Sequence, residues 1–445
     1  MPSSVAPEAS FWRGPVRQST LPPERPAKIA LGLLAALGLV WLMTPRLHGP
    51  FTDHVHKEDG LIFLSGQQAG DSLLATYTGY LHVGPRLITE ACALLPPEAM
   101  ATCLAGGSAG VRVALAVLMF AVLTPYVRGW AWAMGAAALV IFGGIGQQEV
   151  LGNVTNLRWF LDVAATIALL GAFRRLWLIV LAAALMALGV LSDPLALLLA
   201  PVALWRVLAL EGRARIVPAL FFPVAAVHLL LLNPSARDSY LTDFFLDPLL
   251  NTQNIVVRSM TETVLGETGT TVAVNVLGAT VVTAVTLAGF LALYAYGVRK
   301  LDGQQKWMVL LLGVGGLLFL MATVNFIDPK EIDVAQGVAR ASRYALIPSL
   351  LIGASIMVLL SDYPRSMWGR ATLITTSTLI VLSSVVDSRG DEWATRGPTW
   401  SDTVKQSQHA CLTGAERVTV DVTPQGVPLD WTADLQCTWV GSESR

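Results

Sequence analysis

Charged residues are scarce in this sequence. Only 14% of its 445 residues are Asp, Glu, Lys or Arg, whereas soluble domains carry about 25%. The net charge is −1, so the chain lacks the basic field that would attract nucleic acid. Internal repeats, heptads and low-complexity tracts are also missing. These absences argue against a soluble globular domain, a nucleic-acid-binding protein and a coiled coil.

Long apolar runs fill most of the chain instead. Hydrophobic residues make up 54% of the sequence, and a helix that crosses a bilayer needs about 20 apolar residues. Nearly charge-free runs occur at 29–45, 112–127, 129–147, 158–173, 176–192, 194–210, 216–233, 272–298, 307–327, 344–361 and 371–387. We therefore expect an all-α polytopic membrane protein, with about eleven transmembrane helices over 29–387 and a disordered tail over 1–28.

The basic residues favour one orientation in the membrane. An odd number of spans puts the two chain ends on opposite sides, and cytoplasmic segments are enriched in Arg and Lys. With a cytoplasmic N-terminus every inner segment is short and basic, as at Arg174–Arg175 and from Arg206 to Arg215. We predict a multi-pass protein of a bacterial plasma membrane with its N-terminus in the cytoplasm and its C-terminus outside.

All four cysteines then lie on the outer side. Cys92 and Cys103 share the first outer loop, and Cys411 and Cys437 follow the last span. Because an oxidising compartment favours pairing, we expect one disulfide in each region.

The polar segment 388–445 ends the chain. It combines an amphipathic helical stretch from Trp393 to Leu412 with the alternating pattern RVTVDVTP, which predicts a small α+β extracytoplasmic domain. With fewer than about 60 residues its own core is small, so we expect it to dock on the bundle.

The first outer loop, residues 46–111, contains two adjacent acids, Glu58 and Asp59. They open into the apolar stretch GLIFLS, and the segment YTGYLHVGPR follows. This pattern indicates interfacial helices that line a cavity, although an ordinary solvated loop is the simpler interpretation. A carboxylate at such a site is suited to act as a general base on a hydroxyl. Asp59 is the stronger candidate and Glu58 the other.

The histidines of this loop raise the question of a metal. His54 and His56 precede the two acids, but the spacing H-x-H-x-E-D matches no known zinc pattern. We therefore predict no metal ligands and no certain cofactor. A Ca²⁺ or Mg²⁺ ion on the carboxylates stays an open alternative.

A second outer turn, GQQEVLGNVTNLRW over 146–159, is rich in hydrogen-bonding side chains around Trp159. Such a set, which includes Glu149 and Asn156, is typical of a sugar site, and an interfacial tryptophan with polar caps is the alternative. Asp162 follows inside a span, where an acid is energetically costly. In the turn at 192–194, Asp193 is expected to cap the next helix.

Arg340 and Arg343 stand beside Tyr344 at the outer end of the tenth predicted span. Guanidinium groups bind phosphate oxygens in a bidentate manner. Their partner is a lipid headgroup, a phosphorylated lipid substrate, or one of the nearby acids Asp328, Glu331 and Asp333.

These motifs together resemble the GT-C superfamily of integral-membrane glycosyltransferases, in particular its actinobacterial members. The resemblance rests on Glu58-Asp59-Gly60, on Gly79 to His82 with Pro85-Arg86, and on Asn156 to Trp159, and it covers about 29–175 and 336–350. It implies inverting transfer of a sugar from a polyprenyl-phosphate donor to a hydroxyl of an envelope glycan, glycolipid or protein on the outer face. Asp59 or Glu58 would be the base. Donor phosphate and sugar are expected at Arg343, Arg340, Tyr344, Arg86, His82, Tyr80, Glu149, Asn156 and Trp159.

Other functions remain open from the sequence alone. A transporter or flippase is the main alternative, because it is also a polytopic bundle. Transporters place polar residues near the bilayer midplane on broken helices, whereas the polar groups here gather at one face. A polysaccharide polymerase or an acyltransferase is the third possibility.

Overall fold

The computed structural model describes residues 14–43, 53–145, 147–233, 247–325, 327, 332–338, 342–362, 367–387, 396–426 and 431–441. Its helices are α1 (Arg25–Met43), α2 (Ser65–Ala69), α3 (Val83–Ala93), α4 (Met100–Leu123), α5 (Trp130–Phe142), α6 (Gln147–Val150), α7 (Leu157–Leu170), α8 (Leu176–Val190), α9 (Ala200–Ala209), α10 (Ile216–Leu231), α11 (Pro248–Val256), α12 (Glu262–Leu277), α13 (Ala279–Gly297), α14 (Gly303–Val324), α15 (Leu346–Ser361), α16 (Met367–Asp387), α17 (Trp400–Cys411) and α18 (Cys437–Val440). Single turns of 3₁₀-helix occur at Pro97–Ala99, Thr124–Tyr126, Gly212–Arg215, Val298–Lys300 and Ser342–Ala345, a longer one at Pro194–Leu199, and π-helical turns at Asp59–Leu64 and Val257–Thr261.

Two antiparallel strand pairs complete the described elements. β1 (Thr76–Tyr77) pairs with β2 (Tyr80–Leu81), and β3 (Arg417–Asp421) pairs with β4 (Thr432–Gln436). The prediction of an all-α polytopic membrane protein with a small α+β segment at the end of the chain is confirmed.

The number of spans is smaller than predicted. Among the described residues seven helical segments are long and apolar enough to cross a bilayer, or eight if α8 and Pro194–Ala209 count as one span bent by 120°. Each of the eleven predicted runs does contain a helix. However, α5 and α7 have only 13 and 14 residues, which correspond to about 20 Å at 1.5 Å per residue. Hydropathy marks apolar runs but not the points at which they break.

Two helices form the centre of the bundle. In α15 and in α7 almost every residue is buried, whereas α1, α13 and α16 are mostly exposed at the periphery. Small residues allow this close packing: a side chain on Gly353 of α15 would begin 2.8 Å from Leu139 of α5. Close approach at small residues is the usual means of packing helices in a bilayer.

Arg206 holds together the end of the bundle away from the two acids. The buried guanidinium of Arg206 donates to the carbonyl groups of Leu169, Leu170 and Gly171 at the end of α7 and also to that of Pro15. A cation at the C-terminal end of a helix is favoured by the helix dipole. Segments far apart in sequence are thereby joined at this end.

The C-terminal segment shares one hydrophobic core with the loop before α4. The buried residues of this core come from both parts of the chain, from the start of α4 and from the turn before α7, and are Val55, Phe63, Leu64, Cys92, Met100, Ala101, Leu104, Val154, Trp400, Val404, Val422, Ala433, Leu435 and Val440. The indole N–H of Trp400 donates to the carbonyl oxygen of Pro97 at 2.7 Å. Docking of this segment, expected from its small size, is therefore observed.

Both expected disulfides are present. The Cα atoms of Cys92 and Cys103 are 5.6 Å apart, and those of Cys411 and Cys437 are 5.4 Å apart. The first bond joins α3 to α4, and the second joins the end of α17 to the start of α18.

Candidate functional site

Asp59 is an internal anchor and not an exposed acid. Its side chain is 1% exposed, and it accepts hydrogen bonds from the backbone N–H groups of Val154 and Thr155, both at 2.9 Å. The hydroxyl of Thr155 donates to it as well. Both carboxylate oxygens of Asp59 therefore hold the turn between α6 and α7.

The environment of Asp59 changes its acidity. Burial raises its pKa from 3.8 to about 7, although the hydrogen bonds from Thr155 and Val154 oppose this rise. The charge of the neighbouring Glu58 raises the pKa slightly further. Near neutral pH Asp59 is thus only partly ionised.

Glu58 has the more accessible carboxylate of the two. It is partly exposed, and its charge acts on both Lys57 and Arg343. A general base needs an oxygen that can reach the proton it accepts. On this criterion the geometry favours Glu58, whereas the sequence favours Asp59.

The two histidines of the loop contact the C-terminal segment. Nδ1 of His54 lies 3.2 Å from the carbonyl oxygen of Pro398, and Nδ1 of His56 lies 3.3 Å from the hydroxyl of Thr423. Burial lowers the pKa of both rings, that of His56 to about 3. Within the described residues no group of three or more His, Cys, Asp or Glu side chains is arranged to hold a metal ion.

Arg343 and Glu149 form the central ion pair of the site. The guanidinium of Arg343 donates to the carboxylate of Glu149, and the backbone N–H of Arg343 donates to the other carboxylate oxygen at 3.1 Å. The side-chain amides of Asn153 and Asn156 both donate to the backbone carbonyl of Glu149. The acid that meets Arg343 therefore comes from the second turn. Of the acids near residue 330, Asp328 and Glu331 lie outside the described residues.

Aromatic rings connect this ion pair to a second arginine. The guanidinium carbon of Arg343 lies 4.8 Å from the ring centre of Tyr344, and the rings of Tyr344 and Trp159 are in edge contact at 5.4 Å. The guanidinium carbon of Arg158 lies 4.5 Å from the ring centre of Trp159. Arg158 also donates to the hydroxyl of Tyr80 and pairs with Asp193 at 3.3 Å.

A cavity of about 490 Å³ opens beside this second arginine. One part of its lining is a cluster of residues in mutual contact, formed by Tyr80, Arg158, Trp159, Asp193 and Tyr344. The rest of its wall is mostly apolar, with Leu195, Leu197, Leu198, Leu232, Ala322 and Ile327, and it also contains the polar residues Thr78, Asn233, Thr323 and Asn325. The volume lies within the range of about 300–1,000 Å³ that is common for ligand sites.

The helix break at residues 190–194 shapes the cavity. Asp193 caps the following turn by accepting the N–H of Leu195 at 2.9 Å, as predicted, and its second oxygen faces Arg158. The hydroxyl of Ser192 accepts the N–H of Gly84, which joins the break to the start of α3.

Some predicted site residues support the cavity without lining it. His82 is stacked on Tyr80 with ring centres 4.4 Å apart, and Arg86 is paired with Asp71 at 3.6 Å. Asn156 accepts the indole N–H of Trp159 at 3.3 Å. Arg340, also predicted as a phosphate ligand, lies outside the described residues.

Two important residues carried a signal in the sequence that was not assigned to the site. Arg158 was named only within the polar turn and within the motif Asn156 to Trp159, and Asp193 only as a helix cap. Arg158 stands four residues before Asp162, which is fully buried in α7 and has no hydrogen-bond partner within the described part of the chain. An arginine one helical turn from a buried acid, at the end of a predicted span, is the feature that could have assigned Arg158 and Asp193 to the site.

No family model, curated protein or solved structure matches this chain.

Proposed function

We propose that the protein is an inverting glycosyltransferase that moves a sugar from a polyprenyl-phosphate donor to a hydroxyl of an envelope glycan, glycolipid or protein. The observation that carries this proposal is the cavity whose wall is mostly apolar and whose polar lining residues include Arg158. Such a cavity matches a ligand with a long hydrocarbon chain and a phosphate head. The proposal includes the predicted orientation, with the site on the outer face of a bacterial plasma membrane.

The apolar part of the cavity suits the hydrocarbon chain. Leu195, Leu198 and Leu232 contribute side chains from the turn after the helix break and from the residue after α10. Burial of hydrocarbon against such side chains is favourable by about 25 cal/mol per Å². A chain bound there also remains within a membrane-spanning bundle, so the donor need not leave the bilayer.

The phosphate is assigned to Arg158. In the structure the guanidinium pairs with Asp193 and reaches the hydroxyl of Tyr80, and its side chain is 12% exposed. A phosphate carries more acceptor oxygens than a carboxylate and binds arginine strongly. We expect the donor to draw Arg158 away from Asp193. Arg343, the phosphate ligand expected from the sequence, is engaged by Glu149 and is better placed to contact the sugar.

The reacting groups lie at Glu58 and the Arg343–Glu149 pair. An ion pair offers both hydrogen-bond donors and acceptors, which sugar hydroxyl groups require. Glu58 accepts the proton of the acceptor hydroxyl as its oxygen attacks the anomeric carbon. The bond from that carbon to the phosphate oxygen breaks, and polyprenyl phosphate leaves with the electron pair. This single displacement inverts the configuration and needs positioning, a base and stabilisation of the leaving phosphate.

Sugar transfer in proteoliposomes tests the proposal. Purified protein is mixed with a radiolabelled polyprenyl-phosphate sugar and a bacterial envelope fraction as acceptor, and labelled product is counted. Glu58→Gln should lower the turnover by about 100-fold or more, because general-base catalysis contributes about 10²–10⁴-fold. Its unfolding temperature should stay unchanged. Full turnover by Glu58→Gln would remove the base assignment, and no transfer by the wild-type protein under any donor would overturn the function.

Transport of a lipid or solute is the second candidate. The bent pair of α8 and Pro194–Ala209 favours it, because broken helices often form transporter binding sites. Counterflow of labelled substrate across vesicles that contain no acceptor would support transport. The same measurement without any counterflow favours transfer.

A further inference from the structure

Lys57 has an unusual backbone conformation next to the two acids. Its φ angle is +31°, and in the described part of the chain only one other non-glycine residue, Thr78, has a positive φ. Thr78 and Gly79 form the two-residue turn between β1 and β2, where positive φ angles are normal. Lys57 is in no hairpin turn, although the N–H of Asp59 donates to the carbonyl oxygen of His56 across it at 2.7 Å. Strained residues of this kind often mark functional sites.

The C-terminal segment holds Lys57 in this conformation. The backbone N–H of Lys57 donates to the carbonyl oxygen of Thr423 at 2.7 Å, and the N–H of Thr423 donates to the carbonyl oxygen of Val55 at 3.0 Å. The hydroxyl of Thr423 donates to the same oxygen of Val55 at 3.1 Å. Two residues later, Asp59 is fixed to the turn at Val154 and Thr155. Residues 55–59 are therefore fastened on both sides of Glu58.

The side chain of Lys57 lies in the charged part of the site. It is partly buried, and the charges of Glu149, Arg343 and Glu58 all act on it. Burial lowers the pKa of Lys57, whereas the two carboxylates oppose this change. The charges of two carboxylates thus act on Lys57, and the charge of Glu58 acts on both Lys57 and Arg343. A charge-balanced arrangement reduces the penalty of burying each group.

We propose that Lys57 is a positioning residue that orients the carboxylate of Glu58 beside Arg343, and that the C-terminal segment supports it through Thr423. This inference rests on the proposed function. It assigns a role to the C-terminal segment that its small size does not suggest, because the segment supplies the hydrogen bond that fixes the strained residue. The segment thereby belongs to the site and is not an appended module.

Substitutions of Lys57 by Gly and by Ala separate the strain from the charge. Glycine adopts positive φ at no steric cost, whereas alanine does not. Lys57→Gly should therefore unfold at a higher temperature than Lys57→Ala. Lys405, an exposed residue within α17, is the matched control. There the order should be reversed, with Ala more stable than Gly. A Gly variant less stable than the Ala variant at position 57 would overturn the strain argument.

The role of the ammonium group is tested by activity and by rescue. Lys57→Gly should lower turnover by about 100-fold, a loss typical of a misplaced catalytic group, with little change in the KM for the donor. Lys57→Arg should keep part of the turnover. Added ethylammonium or propylammonium should restore activity in Lys57→Gly, and neither should affect Lys405→Gly.

The outcomes distinguish this inference from the proposed function. A wild-type protein without transfer activity would contradict the proposed function itself. A wild-type protein with activity, together with a Lys57→Gly variant that is fully active or that is inactive and not restored by any amine, would overturn the role of Lys57 alone.

Discussion

Replacement of Asp59 by Asn gives the most quantitative test of the site. The carboxylate is buried, and its pKa rises from 3.8 to about 7 on folding. The folded protein therefore binds this proton more tightly than the unfolded chain does. The contribution of Asp59 to the free energy of unfolding is greatest below about pH 4 and decreases as the pH rises towards 7. With about 1.36 kcal/mol per pKa unit, the wild-type protein should lose roughly 3 kcal/mol between pH 5 and pH 8.

The Asn variant has no such proton to lose. One of the N–H groups of Val154 and Thr155 then faces an amide nitrogen in place of an acceptor, and a buried unpaired donor costs about 1–3 kcal/mol. At pH 5 we expect Asp59→Asn to be less stable than the wild type by this amount. At pH 8 the buried Asp59 of the wild type is ionised, which lowers the stability of the wild type. The stabilities of the wild type and the variant should therefore converge.

Unfolding monitored by tryptophan fluorescence in detergent, at pH 5, 6, 7 and 8, measures this difference. Glu267, whose pKa burial raises to about 7, and His56, whose pKa burial lowers to about 3, also titrate with folding. Both are present in each protein, so the difference between wild type and variant isolates Asp59. If the stabilities of the wild type and the variant change in parallel with pH, burial does not raise the pKa of Asp59 as described. A variant that matches the wild type in stability at every pH but transfers no sugar would return the role of base to Asp59.

Two further predictions concern the donor cavity and the C-terminal segment. Arg158→Gln should raise the KM for the donor by about 10- to 100-fold, as expected for the loss of a charged hydrogen bond worth about 1.5–3 kcal/mol. The double variant Arg158→Gln/Asp193→Asn keeps the charge balance and should show the same rise, whereas the control Arg128→Gln, at the far end of the bundle, should leave the KM unchanged. An unchanged KM in both cavity variants would place the phosphate site elsewhere. Cys411 and Cys437 are 26 residues apart, and their replacement by Ser should destabilise the C-terminal segment by about 3–4 kcal/mol. Trypsin should then cleave after Arg417 faster than in the wild type. Cleavage at the wild-type rate would contradict this prediction.

The positions of the helices could be predicted from the sequence, but their lengths could not. Each apolar run contains a helix because backbone groups in hydrocarbon must be satisfied within the segment. The break between α8 and Pro194–Ala209 was visible as Ser-Asp-Pro. The bend of 120° at this break was not, because it depends on contacts such as that of Ser192 with Gly84. Hydropathy records none of these contacts.

Most residues of the site could be identified from the sequence, but the contacts between them could not. Glu58, Glu149, Arg343 and Tyr344 were all singled out, but the partner of Arg343 was left open between a lipid headgroup, a phosphorylated lipid and an acid close to it in sequence. Its partner Glu149 is 194 residues away. Likewise, the second turn that contains Glu149 is held by Asp59, which the sequence suggested as the general base. A single sequence gives no information on such distant pairs.

The position of Glu58 follows from the two residues beside it. Lys57 is fixed by its N–H to Thr423, and Asp59 is fixed by its carboxylate to the turn that carries Glu149. Glu58 therefore has little backbone freedom, and its distance from the Arg343–Glu149 pair is set before any ligand binds. Preorganisation of this kind reduces the reorganisation that a reaction requires. It also explains why a buried acid and a strained lysine persist side by side, since each destabilises the fold by an amount that a better-packed loop would avoid. If so, substitutions that stabilise residues 57–59 should lower turnover, which is the opposite of their effect elsewhere in the bundle.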